Sequence, residues 1–142
     1  MSRSQLKQKK WPKLLGFALL STALQVSCSG PESESPDALI GSYVARVNGQ
    51  TREVIRIEKR TDGYFLHENN GTKWLAPEPM RPFGKDDFQR MLGTTAPNEF
   101  VGLATGVAAV LKVPRGWRRD QFETKTGYFA ITVAGPVELD KK

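Results

Sequence analysis

The chain has 142 residues, which is enough for one folded domain rather than two. A single cysteine excludes an intrachain disulfide framework, and with only one histidine the usual zinc clusters are excluded too. Of the 21 Lys and Arg residues, five lie in the first 13 positions, which hold no Asp or Glu. Residues 14–142 carry 16 basic and 15 acidic residues, so most of the formal charge of +6 comes from the N-terminus. The charge of the rest of the chain therefore does not indicate a nucleic-acid partner.

An apolar run at residues 14–26 follows this basic N-terminus. As a helix the run would reach only about 20 Å, short of the roughly 30 Å of hydrocarbon in a bilayer. A basic stretch, a short apolar stretch and small residues after it are typical of a secretory signal peptide. We therefore interpret residues 1–27 as a signal peptide.

The lone cysteine, Cys28, directly follows this run in Leu24-Gln-Val-Ser-Cys28. This resembles the lipobox of bacterial lipoproteins, although Gln25 stands where an aliphatic residue is usual. The resemblance implies that the Ser27–Cys28 bond is cleaved and that Cys28 carries lipid, a palmitate-type acyl chain included, which anchors the protein to a membrane. Because Ser29 rather than Asp follows the cysteine, the resemblance favours the outer membrane, with the folded part facing the periplasm.

The alternative is ordinary cleavage after Ala23, which would release a protein with a free thiol. Lipidation explains the lone cysteine better, because an unpaired thiol in an oxidising envelope is open to oxidation. Residues 28–37 would then be a flexible tether. From residue 29 to 37 the segment holds no large apolar side chain, and it cannot bury enough surface to offset the entropy of ordering it.

Residues 38–142 are predicted to form a single mainly β domain. Asn48-Gly49, Asp62-Gly63 and Asn70-Gly71 are typical hairpin turns, and they separate four apolar-alternating segments. The segments predict strands at 39–47, 50–59, 64–68 and 72–76. We expect an antiparallel meander that Pro77, Pro79 and Pro82 bring to an end, because proline cannot donate to a ladder.

One short helix is predicted near 86–92, where Asp86 and Asp87 suit the positive helix start and Gly93 suits the end. Phe88, Met91 and Leu92 should share its apolar face.

The C-terminal part predicts two buried strands at 100–103 and 107–113, a hairpin over 120–134, and a polar C-terminus led by Pro136. Together these strands predict a small antiparallel meander that closes into a barrel or sandwich.

Catalytic chemistry finds little support in the sequence. Ser42 is the only serine beyond the tether and lacks a Gly-x-Ser-x-Gly context. His67 alternates with strand residues and is expected to face solvent rather than to act as a base. Asp86 and Asp87 are explained by a helix start. We therefore predict a protein that is not an enzyme, with no metal and no cofactor.

A basic turn offers a candidate partner surface, formed by Arg115, Trp117, Arg118 and Arg119. Trp and Arg often dominate the energetics of interfaces, and the same residues could meet anionic headgroups. The alternative is that the indole folds back onto the domain while the arginines stay solvated. Residues 74–83 are a second candidate surface, the alternative being a loop that links strand to helix.

The sequence thus predicts a lipid-anchored, periplasm-facing lipoprotein with a non-catalytic binding role, with a protein as the favoured partner. In size, tether and lack of catalytic groups it resembles lipid-tethered envelope inhibitors of lysozyme-like hydrolases and immunity proteins. Two alternatives stay open. One is a structural component of an envelope or secretion assembly, and the other is a lipocalin-like carrier of an apolar ligand, which needs a partly empty barrel.

Overall fold

A computed structural model describes residues 34–142. The predicted signal peptide, Cys28 and the first part of the predicted tether lie outside this range. The elements in chain order are a 3-10 helix at Pro36–Leu39, β1 (Gly41–Val47), β2 (Gln50–Arg60), β3 (Gly63–Glu68), β4 (Glu78–Pro82), α1 (Lys85–Leu92), β5 (Val101–Ala104), β6 (Ala109–Lys112), β7 (Arg118–Arg119), β8 (Phe122–Glu123), β9 (Tyr128–Thr132) and β10 (Gly135–Lys141).

Eight of these strands form a closed antiparallel barrel in the order β1-β10-β9-β6-β5-β4-β3-β2. The short strands β7 and β8 pair only with each other. The prediction of a mainly β domain with one short helix is confirmed, and the structure decides for the barrel over the sandwich. An eight-stranded barrel has an interior just wide enough to be filled by side chains.

The first three strands were predicted to within about two residues. The turn between β1 and β2 has Asn48 at φ 52° and Gly49 at φ 80°, the two positive angles that a type I′ turn requires. A two-residue turn also joins β2 to β3, but it consists of Thr61 and Asp62, one residue earlier than predicted, and Gly63 is the first residue of β3. Local turn chemistry therefore sets this part of the meander.

The predicted fourth strand is wrong in position. Residues 72–76 contribute only an isolated bridge between Asn69 and Trp74, and the next strand is β4, which contains Pro79 and Pro82. The prediction that these prolines end regular structure is therefore also wrong.

The ladder of β4 explains why two prolines are tolerated there. Phe83 N–H donates to Gly102 O on β5. Because successive backbone nitrogens of a strand face opposite neighbours, the nitrogen of Pro79 also faces β5, and the nitrogen of Pro82 faces β3. β5 pairs only with Arg81 and Pro82, so no partner strand lies opposite the nitrogen of Pro79. β3 pairs only with residues 78–80, so none lies opposite the nitrogen of Pro82. Neither proline removes a hydrogen bond that the barrel uses.

The C-terminal predictions also need correction. The predicted hairpin over 120–134 is instead the small β7–β8 hairpin followed by β9. Pro136 leads not a polar tail but β10, which pairs with both β9 and β1 and closes the barrel.

The helix α1 is confirmed, and Gly93 ends it at φ 66°. Phe88 and Leu92 are buried, but Met91 is half exposed, so its predicted place on the buried face is wrong. The helix lies against the outside of the barrel and is covered on one narrow face only.

Two apolar clusters stabilise the fold. The first fills the barrel and includes Tyr43, Leu66, Leu103 and Leu139, all fully buried. The second lies between the outer face of the barrel and α1 with the chain that follows it. We call its aromatic members the aromatic layer: Phe83, Phe88, Phe100, Trp117, Phe122 and Phe129. Strand β5 is buried on both faces because it separates the two clusters.

The barrel has two unlike ends. At the plugged end, Leu39 of the 3-10 helix is fully buried, and Tyr43 Oη donates to its carbonyl at 2.6 Å. Lys59 Nζ contacts Asp37 Oδ1 at 2.9 Å, a contact that falls inside the segment interpreted as tether. At the other end, which we call the open end, lie the turns at 48–49, 105–108 and 133–134 and the loop 69–77.

Within residues 34–142 no helix is long and apolar enough to cross a membrane.

Candidate functional site

The four candidate surface residues lie in the connection between β6 and β9, beside the plugged end. We call residues 115–123 the basic hairpin. It starts with the turn at Arg115 and Gly116, closed by Trp117 N–H donating to Pro114 O at 3.1 Å, and continues into β7 and β8. The structure therefore brings Arg115, Trp117, Arg118 and Arg119 together on one short projection.

Trp117 is half-buried in the aromatic layer. Its indole stacks on Phe129 with a centroid distance of 5.4 Å and an angle of 7° between the planes. Phe88 meets it edge-on at 5.5 Å. Stacked and edge-to-face pairs of this kind stabilise a cluster beyond the area they bury. Trp117 therefore holds the hairpin against the barrel and leaves only part of its surface for a partner.

The guanidinium groups remain accessible. Arg118 Nε lies 3.4 Å from Glu123 Oε2 across the hairpin, and Arg119 Nε lies 3.5 Å from Asp120 Oδ2. Arg115 is exposed, and within the described residues it forms no ion pair. Ion pairs this exposed are worth about 0–1 kcal/mol, so a partner carboxylate can compete for these groups.

A buried carboxylate fixes the connection that carries the hairpin. Glu138 Oε1 on β10 accepts hydrogen bonds from Thr124 Oγ1 at 3.2 Å and from Lys125 N, Thr126 N and Thr126 Oγ1, each at 2.9 Å. Gly127 has φ 84°, and a Cβ there would lie 2.7 Å from Val113 O. Backbone conformation and hydrogen bonding together therefore hold the base of the hairpin.

A cleft of 260 Å³ opens between the hairpin and the barrel. Its walls are mainly apolar, with the hairpin on one side and the ends of α1, β9 and β10 on the other. The lining residues are Leu92, Trp117, Arg119, Asp120, Gln121, Phe122, Phe129 and Pro136. An apolar cleft with one guanidinium group, that of Arg119, among its lining residues suits an acidic or aromatic loop of a protein.

Ser42 and His67 are not in contact. Ser42 and His67 each pair with Arg56, one strand on either side of it, so about 10 Å separates them. Ser42 Oγ accepts from Arg56 Nε at 3.3 Å, and His67 Nε2 lies 2.9 Å from Glu58 Oε1. The contact with His67 is the main reason why the pKa of Glu58 lies below its usual range. The nucleophile–base contact that a hydrolase needs is not formed by this pair.

The acidic pair at the start of α1 acts structurally. Asp87 Oδ2 accepts from Gly84 N–H at 3.1 Å and from Arg81 at 2.9 Å, while Asp86 contributes only to the acidic first turn. The hydrogen bond from Arg81, followed by that from Gly84, lowers the pKa of Asp87. Within the described residues, no three metal-ligating side chains of the His, Cys, Asp or Glu type cluster together.

The second candidate surface, residues 74–83, is divided among three environments. Trp74 lies beneath the guanidinium of Arg56 at 4.7 Å, Leu75 is exposed on the loop 69–77, and Phe83 is buried in the aromatic layer. Between them runs β4. The segment therefore does not form one continuous surface.

A second pocket, which the sequence reasoning missed, lies at the open end and has a volume of 210 Å³. Apolar side chains dominate it, and one carboxylate and two amides stand among them. The lining residues are Ala45, Val47, Val54, Ile55, Glu68, Asn69, Asn70, Leu75, Ala130, Thr132, Val137 and Leu139. A sequence signal existed in Val47, an apolar residue that directly precedes the Asn48-Gly49 turn.

Comparison of the chain with protein-family models, with curated proteins and with solved structures found no match.

Proposed function

We propose that the protein is a bacterial lipoprotein, anchored by lipid on Cys28 and facing the periplasm, whose barrel binds a protein partner without transforming it. The outer membrane is the favoured location, since Ser29 follows Cys28. The observation that carries the anchoring is the position of the lone cysteine directly after a short apolar run with a basic start.

The position of the barrel along the chain supports a tethered role. Among the described residues the first contact to the barrel is the ion pair of Glu34 with Lys112, six residues after Cys28. Six residues span at most about 20 Å. A barrel on so short a tether stays beside the membrane with its plugged end toward the anchor.

The basic hairpin is the surface we assign to the partner, and this assignment rests on its accessible arginines and on the apolar cleft beside it, which Arg119 lines. Arg is enriched among the residues that dominate binding energies, especially beside aromatic pockets. The packed barrel interior favours recognition of this kind over carriage of a large apolar molecule, because Tyr43, Leu66 and Leu103 occupy the space that a carrier keeps empty.

The anchor is tested by Cys28→Ser, with Ser29→Ala as the matched control. We expect the cysteine variant to move from the membrane fraction to the aqueous fraction, because the lipid has no other attachment point. Mass spectrometry of the purified control should show the added acyl mass at residue 28. A cysteine variant that stays with the membrane would overturn the anchor.

The partner surface is tested by replacing Arg115 and Arg118 together with Ala, which leaves Trp117 and the aromatic layer intact. Capture of a partner from envelope extracts by the tagged full chain should fall at least about tenfold, the effect of losing one interface anchor. Arg46→Ala, an exposed arginine on β1, is the control and should leave capture unchanged. Equal capture by all three proteins would discard the hairpin surface.

A further inference from the structure

We propose that the open end of the barrel is a binding pocket for an aliphatic side chain which a protein partner presents beside a cationic residue. The class of partner rests on the proposed function, whereas the pocket itself rests only on the structure. The pocket shares no residue with the basic hairpin, which lies beside the opposite end.

Exposed apolar side chains concentrate at the open end. Among residues 34–142 five large apolar side chains are exposed, and four of them lie in or next to the turns of this end: Leu75 at 39%, Val107 at 69%, Val133 at 97% and Val137 at 37%. The fifth, Met91, lies on α1. Leu75 and Val137 line the pocket, whereas Val107 and Val133 lie on neighbouring turns. A concentration of exposed apolar side chains at one end of a small domain is typical of an interaction site.

A β-bulge aims one of the pocket's side chains. Tyr43 pairs with Ile55 and Val44 with Glu53, so Val54 is an extra residue in β2. Bulges at barrel rims redirect a side chain out of the regular alternation. In a regular strand the neighbours Val54 and Ile55 would point to opposite faces of the sheet. Here both line the pocket.

The volume limits the ligand. At 210 Å³ the pocket is below the range of about 300–1,000 Å³ that sites for drug-sized molecules occupy. Leu139, Ala130 and Ala45 form its floor, and Leu139 belongs to the packed interior. One aliphatic side chain fits this space, whereas a long acyl chain would require the interior to open.

The carboxylate of Glu68 determines which kind of residue a partner should present beside its aliphatic side chain. Glu68 lines the pocket, and within the described residues its carboxylate forms no ion pair and accepts no side-chain hydrogen bond. A half-buried carboxylate without a cation is complementary to a Lys or Arg of a partner. The remaining polar groups are the amides of Asn69 and Asn70 and the hydroxyl of Thr132, which add no charge.

The rim is held in shape before any ligand arrives. Asn70 Oδ1 accepts from Thr72 N and Lys73 N at 3.0 and 3.1 Å, Thr105 Oγ1 from Ala108 N at 3.2 Å, and Thr132 Oγ1 from Ala134 N at 3.2 Å. Turns fixed by their own side chains lose little entropy on binding.

Barrel closure determines how a partner can bind. Each of the eight barrel strands has a neighbour on both sides, so among the described residues only the short hairpin of β7 and β8 has free strand edges. A partner at the open end therefore binds by inserting a side chain, and the open end lies opposite the end at which Glu34 approaches the barrel. On an anchored protein the pocket faces away from the membrane.

The test is a titration of the protein, purified as the cell produces it and held in phosphatidylcholine nanodiscs, followed by NMR of labelled methyl groups. The probes are acetyl-Leu-Lys-amide, acetyl-Leu-Glu-amide and acetyl-Ser-Lys-amide. We expect acetyl-Leu-Lys-amide at millimolar concentration to shift the methyl resonances of Val47, Val54 and Val137 but not that of Met91. Its affinity should exceed that of the Glu probe about two- to fivefold, the range of a partly exposed ion pair. Acetyl-Ser-Lys-amide should leave the resonances in place.

Matched variants sharpen the result. Leu75→Gln and Val137→Gln should each weaken the Leu-Lys probe at least about threefold, and Glu68→Gln should abolish the preference for Lys over Glu. Met91→Gln, which replaces an exposed apolar side chain outside the pocket, should leave the affinity of the Leu-Lys probe unchanged.

Four results would overturn the inference: no shift of the pocket methyls, equal shifts by all three probes, stronger shifts by dihexanoylphosphatidylcholine below its micelle concentration, or shifts that grow with protein concentration alone. The third would indicate a lipid ligand and the fourth a second copy of the chain. None of them affects the outcome of Cys28→Ser or of the arginine variants, so a failure here is distinguishable from a failure of the proposed function.

Discussion

The two ends of the barrel differ in what their residues do. At the plugged end, side chains satisfy one another: Leu39 is fully buried, and Asp37 contacts both Lys59 and Tyr64. At the open end, apolar side chains such as Val133 and Leu75 meet solvent and the Glu68 carboxylate has no described partner.

This difference separates stability from recognition within one small domain. Binding surfaces are places where local rules for stability are broken, and the cost is offset elsewhere in the fold. Here the fully buried interior and the plugged end carry the stability, so the turns of the open end are free to expose apolar groups. Mutations at the two ends should therefore have separable effects.

The largest expected effect is on the plug. Leu39→Ala should lower the free energy of unfolding by about 2–5 kcal/mol, since it removes a fully buried leucine and leaves a cavity. Leu75→Ala, the same change at the open end, should alter the free energy of unfolding by no more than about 0.5 kcal/mol. Urea unfolding followed by circular dichroism measures both. Equal losses would contradict the separation of the two ends.

A smaller effect is expected at the base of the basic hairpin. Glu138→Ala removes the acceptor of four hydrogen bonds and should cost about 1–3 kcal/mol. Asp140→Ala, the next outward-facing carboxylate of β10, should be nearly neutral because its side chain is exposed. Urea unfolding gives the stability difference, and faster amide exchange of residues 124–127 in the Glu138 variant would locate it. A neutral Glu138→Ala would show that aromatic packing alone holds this connection.

The smallest expected effect is a decrease of the melting temperature at low pH. Lys142, Ser42 and Arg56 lower the pKa of Glu53 from 4.5 to about 2, and Tyr64 and Lys59 lower that of Asp37. Lowered values mean that the stabilisation is complete above the ordinary pKa and is lost as pH falls through the folded value. The melting temperature should therefore decrease between about pH 4.5 and pH 2.

Two variants test this acid dependence. Glu53→Gln should flatten part of the decrease in melting temperature, because the group that takes up the proton is gone. Glu99→Gln, an exposed carboxylate, should follow the parent protein. An identical pH profile for the parent and Glu53→Gln would contradict the assignment.

The parts of the fold that the sequence predicts are the parts that local chemistry determines. Asn48-Gly49 fixes the first hairpin and Gly93 ends α1, and both were placed correctly. Strand β10 was missed although Val137 and Leu139 alternate with Glu138 and Asp140 and only two residues separate it from β9. Pro136 and the charged residues favour a polar terminus instead, and the pairing of β10 with β1, almost a hundred residues earlier, leaves no local signal.

The basic hairpin and the pocket at the open end also differ in how far the sequence predicts them. The composition around Trp117 identified the basic hairpin, but only the structure places that indole against Phe129. Little of the pocket at the open end could be predicted, because Val54 reaches it through a bulge and β9 and β10 reach it only through the closure of the barrel. The bulge is set by the pairing of strands rather than by a residue pattern, and the closure joins β1 to β10, which are remote in sequence.

The seam between β1 and β10 also has a consequence for how the chain reaches its native form. Tyr43 pairs with Lys141, so the last strand must be present before the ring can shut. Topologies dominated by such remote pairings fold slowly, and partly formed sheets expose edges that other chains can join. A newly made chain should therefore depend on protection from aggregation until β10 has been synthesised and has paired with β1.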